Sequence, residues 1–266
     1  MSAAAVAAAT PRRQVWSLII TFFGDAVLPR GGRVAARTVT EVMTAIGIEE
    51  GAVRTAFSRL VADGWVERSR QGRAAFYRLA EDGRAPFEEA SRLIYAPPRP
   101  EPPRLALAVA PPGLAAPTGA SALRDGAFLF DRLDPGLEAA LREAGCLVVP
   151  AGDVDHWPEW TQGGERAQTR DSCQALIDRF VSREPETDLD AVAERTLMLH
   201  DWRRLVLRHH GVVFPPLDGR DDPLEEARRF VANRYNRWLD ASERWLAANG
   251  LPGGEGVARR FVTDRP

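Results

Sequence analysis

TVTEVMTAIGIEEGAVRTAFSRLVADGWVERSRQGRAAFYRL, residues 38–79, carries two helical periods, a tight turn and a hairpin in immediate succession. Val39, Val42, Met43 and Ile46 recur at i, i+3, i+4 and i+7, the stripe of a helix that buries one face. Gly47-Ile48-Glu49 supplies a short turn. Val53, Phe57, Leu60 and Val61 then form the inward face of a second helix, which Gly64 ends. Two helices joined by a tight glycine-containing turn make a helix-turn-helix, whose second helix is the one that enters a DNA groove. Its outward positions include Arg54, Thr55, Ser58 and Arg59, side chains suited to phosphates and base edges. Residues 65–68 and 74–79 read as strands, and Ser69-Arg70-Gln71-Gly72-Arg73 as the turn between them. A hairpin in that place, bearing Arg68, Arg70 and Arg73, is a wing suited to phosphate contact.

Charge separates this region from its surroundings. Nine arginines face five acids between Arg30 and Arg78, a local charge of +4 in a chain whose net charge is −2. A polybasic coat is thus excluded, and a local DNA-binding surface is what such asymmetry produces. The chain has no lysine, so arginine as a residue type signals nothing by itself. The same pattern would also suit a winged-helix interaction or scaffold protein that binds no specific DNA, the alternative reading. Upstream, Arg12-Arg13 before the apolar run from Trp16 to Phe23 resembles a twin-arginine export signal. Val15, Leu18, Ile19, Phe22 and Phe23, however, sit at helical spacing and Asp25 interrupts the run, so an amphipathic core helix is expected instead. Residues 1–10, mostly alanine, read as a tail.

Ala96 to Pro103 (APPRPEPP) has five prolines and cannot be helical; it reads as a stiff spacer. Beyond it, Leu105–Val109, Ala127–Phe130 and Cys146–Val149 are strand-like runs. Asp134-Pro135 opens a short helix that Gly145 closes. From about Glu165 the pattern is helical. Cys173, Leu176, Ile177 and Phe180 form one stripe, and a helix is expected from Leu189 to Arg208. Another starts at Asp222 with Pro223 and Glu225 in a capping-box arrangement, its stripe being Leu224, Ala227, Val231, Trp238 and Trp245. The expected organisation is α+β, in three parts: a winged helix-turn-helix over 11–95, an α/β part over 104–160 and a helical part over 161–250.

These residues resemble the PaaX family, repressors of phenylacetic acid degradation operons. SLIITFFGDAVLPRGG (17–32) and VRTAFSRLVADGWVERSRQGRAAFYRL (53–79) carry the likeness, followed by RTLMLHDWRRLVLR (195–208) and ARRFVANRYNRWLDASERWL (227–246). The resemblance implies a ferredoxin-like fold for the middle part and a helical C-terminal domain for dimerisation and effector binding. It also implies a homodimer that releases double-stranded DNA on binding an aryl-acetyl-CoA, typically phenylacetyl-CoA. A CoA thioester carries phosphates and an acyl group, so its site should pair arginines with an apolar surface. Trp202, Arg203, Arg204 and Arg208 offer that mixture on one expected helix.

Other chemistry finds little footing. Asp153, Asp155 and His156 form a D-x-D-H cluster that reads as a solvated turn, and His209 and His210, adjacent on a helix, would point apart. CRISPR-associated nucleases share the implied middle fold but need a carboxylate near the end of the first strand, where this chain has Val109-Ala110-Pro111-Pro112. No triad, phosphate loop or paired carboxylates stand in context. The expectation is a cytoplasmic, non-enzymatic protein with no cofactor, metal or membrane partner, and with Cys146 and Cys173 as buried thiols.

Overall fold

The computed structural model describes residues 12–81, 84–99, 104–124, 126–151, 157–209, 212–214, 222–253 and 260–261. The 1–10 tail, the end of the proline-rich spacer, the Asp153–His156 cluster and His210 lie outside the described residues. Helices and two small sheets confirm the α+β class. The chain divides into two compact units: residues 1–97, 176–207 and 229–266 form one, and residues 98–175 and 208–228 the other. Among the described residues no helix is long and apolar enough to cross a membrane.

In the first unit, α1 (Arg12–Phe22) leads through a π-helical turn (Phe23–Val27) and a 3₁₀ turn (Leu28–Arg30) to β1 (Arg33–Ala35). The expected stripe of α1 is inward: Val15, Leu18, Ile19, Phe22 and Phe23 are all buried. Next come α2 (Ala36–Ala45), α3 (Glu50–Ala62), β2 (Val66–Gln71), β3 (Ala74–Leu79) and α4 (Arg84–Ile94). The turn between α2 and α3 needs Gly47 at φ 95°, a left-handed conformation costly for other residues. Val39, Val42 and Met43 of α2 and Val53, Phe57 and Leu60 of α3 are buried, whereas Val61 is partly exposed. The three strands form an antiparallel sheet in the order β1-β3-β2. The Phe57 and Tyr77 rings stack at 3.8 Å and fix α3 to that sheet.

The second unit holds β4 (Leu105–Val109), β5 (Ser121–Arg124), β6 (Ala127–Asp131), α5 (Pro135–Glu143) and β7 (Leu147–Pro150). The sheet order is β5-β6-β4-β7, all neighbours antiparallel. On one face Ala108, Phe128, Phe130, Leu141, Cys146 and Val148 make a core; on the other, Leu105, Leu129, Ala151, Trp157 and Val213 make a second. Asp134 caps α5 as expected, accepting from the backbone of Gly136 and Leu137. Arg166 is buried, and its guanidinium donates to the Ser121 hydroxyl (2.7 Å) and to the Ala122 and Val213 carbonyls. Both cysteines are free and buried; burial, then the nearby Asp222 and Glu226 carboxylates, push the Cys173 thiol up to about 12.

Helices α6 (Glu165–Phe180), α7 (Asp188–His209) and α8 (Pro223–Ala248) follow the expected helical pattern. The capping box at α8 forms by half. Asp222 accepts from the Leu224 N–H (2.8 Å) and from the Glu225 N–H, but Glu225 turns its own carboxylate to the Arg99 backbone N–H (2.9 Å) and the charged Arg228 Nε (3.1 Å). Along α8, Leu224, Ala227, Val231 and Trp238 are buried, and Leu246 replaces Trp245 as the fully buried residue of the last turns.

The first unit is tied together by a buried polar node. Asp25, in the π-helical turn, is 3% exposed. Its Oδ2 accepts from Arg195 Nε at 2.9 Å, and its Oδ1 from the Tyr95 and Tyr235 hydroxyls at 2.9 and 3.0 Å. Arg195 also donates to Glu243 (3.1 Å), which pairs in turn with Arg30. Arg260 donates to the Gly24 carbonyl (2.6 Å) and lies over the Tyr95 ring, while Phe261 packs fully buried against Tyr95 and Tyr235. Burial alone would push the Asp25 carboxyl up, but Arg195, Arg260 and the two phenols outweigh it and hold it below the usual range.

Removing that charge leaves Arg195 buried without its main partner. Asp25→Asn is expected to destabilise the fold by about 3–5 kcal/mol in urea titration. Because the folded-state pKa is depressed, the contribution of Asp25 is present at neutral pH and is lost as pH falls through and below the ordinary carboxylate range. The wild type should therefore lose stability there more steeply than Asp25→Asn.

Candidate nucleic-acid interface

Helix α3 has a buried side and an exposed side, and the sequence-predicted contact residues fall on the exposed one. Val53, Ala56, Phe57 and Leu60 face the core; Arg54, Thr55, Ser58 and Arg59 are exposed. Gly51 opens the outward face near the helix start, where a side chain would meet only the tip of Arg54. Thr55 donates its hydroxyl to the Gly51 carbonyl (2.9 Å) and Ser58 to the Arg54 carbonyl (3.1 Å), so both hydroxyl oxygens present outward as acceptors. Arg54 lies 3.4 Å from Glu50 in a solvent-exposed i, i+4 pair, which holds it weakly.

The hairpin is longer and its turn tighter than the sequence reading had it. Strands β2 and β3 pair from Val66↔Leu79 to Gln71↔Ala74, leaving Gly72 and Arg73 alone at the tip. Ser69, Arg70 and Gln71 are therefore strand residues, not turn residues. Gly72, at φ 59°, is the first residue of the two-residue turn, where the tight hairpins that match strand twist need glycine. Arg68, Arg70 and Arg73 are exposed, and among the described residues none has an acid in ion-pair range; the same holds for Arg59. Arg78, by contrast, pairs with Glu67 at 2.8 Å, and Arg33 lies over the Phe76 ring (3.9 Å).

A groove of about 390 Å³ borders the outward face of α3. Trp16 and Val15 of α1 form one wall; Glu49, Gly51, Ala52, Thr55, Ala56 and Arg59 form the other. Trp16 is half-buried and meets Trp65 edge to face, centroids 5.6 Å apart. Sequence reasoning passed over Trp16. The signal for it was its place off the apolar stripe of α1, where a large aromatic has no core to fill.

The four residues expected to hold an effector lie along α7 in different surroundings. Trp202 is fully buried and donates its indole N–H to the Ile94 carbonyl (2.8 Å), a core position. Arg203 donates to the Ser17 hydroxyl (2.6 Å). Arg204 and Arg208 are exposed. Beside them, His200 contacts the Thr21 hydroxyl (3.2 Å), and burial followed by nearby arginines pushes its pKa down to about 3, so it is neutral at pH 7.

Residues 14–83 match the family model described as PaaX-like protein. The transcriptional repressor PaaX of Escherichia coli (strain K12) is 37% identical over 79 residues, 30% of this chain and 25% of that protein, so the match spans a quarter of the relative's length. An uncharacterized protein from Mycobacterium tuberculosis, of solved structure, shares 15% identity with a TM-score of 0.49, covering 89% of this chain and 98% of that one. The likeness to PaaX proteins expected from the sequence is thus shown for the region that holds α1, α2, α3 and the hairpin.

Exposed arginines without partners contribute little to a fold. Arg59→Ala, Arg70→Ala and Arg73→Ala should each change unfolding free energy by no more than about 0.5 kcal/mol in urea titration. A loss well above 1 kcal/mol in any of them would mark that side chain as structural.

Proposed function

We propose that this chain is a sequence-specific DNA-binding transcriptional repressor that reads its operator with a winged helix-turn-helix over residues 11–95. The observation that carries the reading is that Arg59 on the exposed face of α3 and Arg68, Arg70 and Arg73 on the hairpin have no acidic partner among the described residues. In a chain of net charge −2, cations left without partners on one recognition helix and one wing are what phosphate and base contact requires. The likeness to PaaX proteins over the same residues supports it. In this reading Arg54, Thr55, Ser58 and Arg59 meet base edges and phosphates, while Arg68, Arg70 and Arg73 lie along the backbone or minor groove.

Residues 104–160 form a ferredoxin-like middle part in this proposal. The order β5-β6-β4-β7 supports that assignment, being second-third-first-fourth in chain order with a helix between third and fourth; no helix spans the first connection, residues 110–120. Residues 161–250 serve dimerisation and effector binding. Two copies related by a two-fold axis would read half-sites about 34–36 Å apart or a multiple of that. The proposed effector is an aryl-acyl-CoA such as phenylacetyl-CoA. Arg203, Arg204 and Arg208 are the candidates for its phosphates, while Trp202 could meet an acyl group only if the core around it opened.

Gel-shift titration against promoter DNA flanking the gene tests the reading. Arg54→Ala or Arg59→Ala should weaken specific binding by about 1–3 kcal/mol. Arg70→Ala and Arg73→Ala should weaken binding to all sequences alike and lower the log–log salt slope by about 0.9 for each lost phosphate contact. Unchanged affinity in all four variants at fixed salt would overturn the assignment.

Calorimetry tests the effector. Phenylacetyl-CoA should bind and weaken operator affinity, and Arg203→Ala or Arg204→Ala should reduce its binding. No binding of the thioester would remove this effector while leaving the DNA reading intact.

A further inference from the structure

We infer that the groove between α1 and α3 is a second DNA contact, in which Trp16 and Arg59 receive the sugar–phosphate backbone of the strand bordering the groove that α3 enters. The inference rests on the DNA-binding reading above and adds a surface to it. Three observations point to this occupant. First, the groove is continuous with the proposed reading face, since Gly51, Thr55 and Arg59 line it and also face outward on α3. A strand lying along that face therefore reaches the groove.

Second, the chemistry of the groove fits a phosphodiester strand. Arg59 has no acidic partner among the described residues. Gly51 and Ala52 leave room for close approach of a backbone. The flat apolar ring of Trp16 suits a deoxyribose, and its N–H, which takes no hydrogen-bond partner among the described residues, suits a phosphate oxygen. Third, Trp16 is held rather than loose. Its edge-to-face contact with Trp65 anchors the ring to the start of the hairpin, so little entropy is lost when a ligand meets it. Glu49 stands at the other side as the single acid of the lining, where a phosphate would be repelled.

These placements predict that changes at Trp16 and at Glu49 move affinity in opposite directions. The probe is a fluorescein-labelled 30-base-pair duplex of mixed sequence, bound to the full chain and measured by anisotropy across a salt series. Trp16→Ala should weaken binding about 10-fold, the loss of one hydrogen bond to a charged group, with the salt slope unchanged because no counterion-releasing charge is removed. Trp16→Phe keeps the ring against Trp65 but lacks the N–H, and should lose most of the same factor. Arg59→Ala should lower the slope by about 0.9. Glu49→Gln should tighten binding about threefold, the scale of an exposed charge contact.

Affinities for Trp16→Phe and Glu49→Gln both within error of wild type would overturn the inference while the DNA reading stands. That pair also decides the matter if Trp16→Ala fails to fold. Should the wild type bind no duplex at 50 mM salt, the DNA reading falls and this groove contact falls with it.

Discussion

The burial of Asp25 is the constraint on which the first unit depends. An ionised carboxylate with 3% exposure is sustained only by partners that satisfy both oxygens and balance its charge. Here those partners come from the end of α4 (Tyr95), from α7 (Arg195), from α8 (Tyr235) and from Arg260, while Glu243 of α8 holds Arg195 from its other side. The π-helical turn makes this possible: it widens α1 at Phe23–Val27 and brings Phe23, Asp25, Ala26 and Val27 all inward. A regular α-helix would have kept one of those faces in water. The node therefore fixes the end of α1 relative to α7 and α8. Since α1 also packs on α3, the proposed recognition helix rests on a scaffold drawn from distant parts of the chain.

What could be read from the sequence was what local interactions determine. Helices α2 and α3 are marked by apolar residues at helical spacing, and their turn by Gly47, whose positive φ only glycine adopts cheaply. The Asp134 cap and the start of α8 are likewise encoded within a few residues. The node was not legible: Asp25 stood out only as an interruption in an apolar run, and its partners lie 70 to 210 residues away. Strand β5 was missed because SALR is short and only weakly apolar; it is a strand because β6 pairs with it and Arg166 donates to its backbone. The reciprocal half of the capping box, from Glu225 back to Asp222, is missing for a related reason. Nothing local to Glu225 announces that Arg99 will compete for its carboxylate.

Arginine shows how far composition can mislead about a site. With lysine absent, the same residue type serves as buried cross-tie (Arg166, Arg195), as stacked surface (Arg33 on Phe76) and as a cation with no acidic partner among the described residues (Arg59, Arg68, Arg70, Arg73). Spacing sorted some of these correctly, because a position opposite a buried stripe is exposed whatever occupies it. It sorted Trp202 and Arg203 less informatively: a Trp-Arg-Arg run on a helix suggests an anion site, but the indole is in the core and Arg203 is held by Ser17. Only partners decide between a structural and a functional arginine, and partners are a property of the fold.

The hydroxyls of α3 carry the last step. Thr55 and Ser58 both spend their protons on carbonyls one turn back, so as they stand they can accept but not donate. A helix entering a major groove with that face forward would offer acceptors from Thr55 and Ser58, and donors from Arg54. Acceptors meet the exocyclic amines of cytosine and adenine; arginine forks meet guanine N7 and O6. The combination favours guanine–cytosine steps, where both kinds of partner occur in one base pair, over adenine–thymine steps, whose thymine carbonyl and methyl answer neither as well. The preference would arise from backbone hydrogen bonding inside the helix, which removes the hydroxyl donors before any base is met.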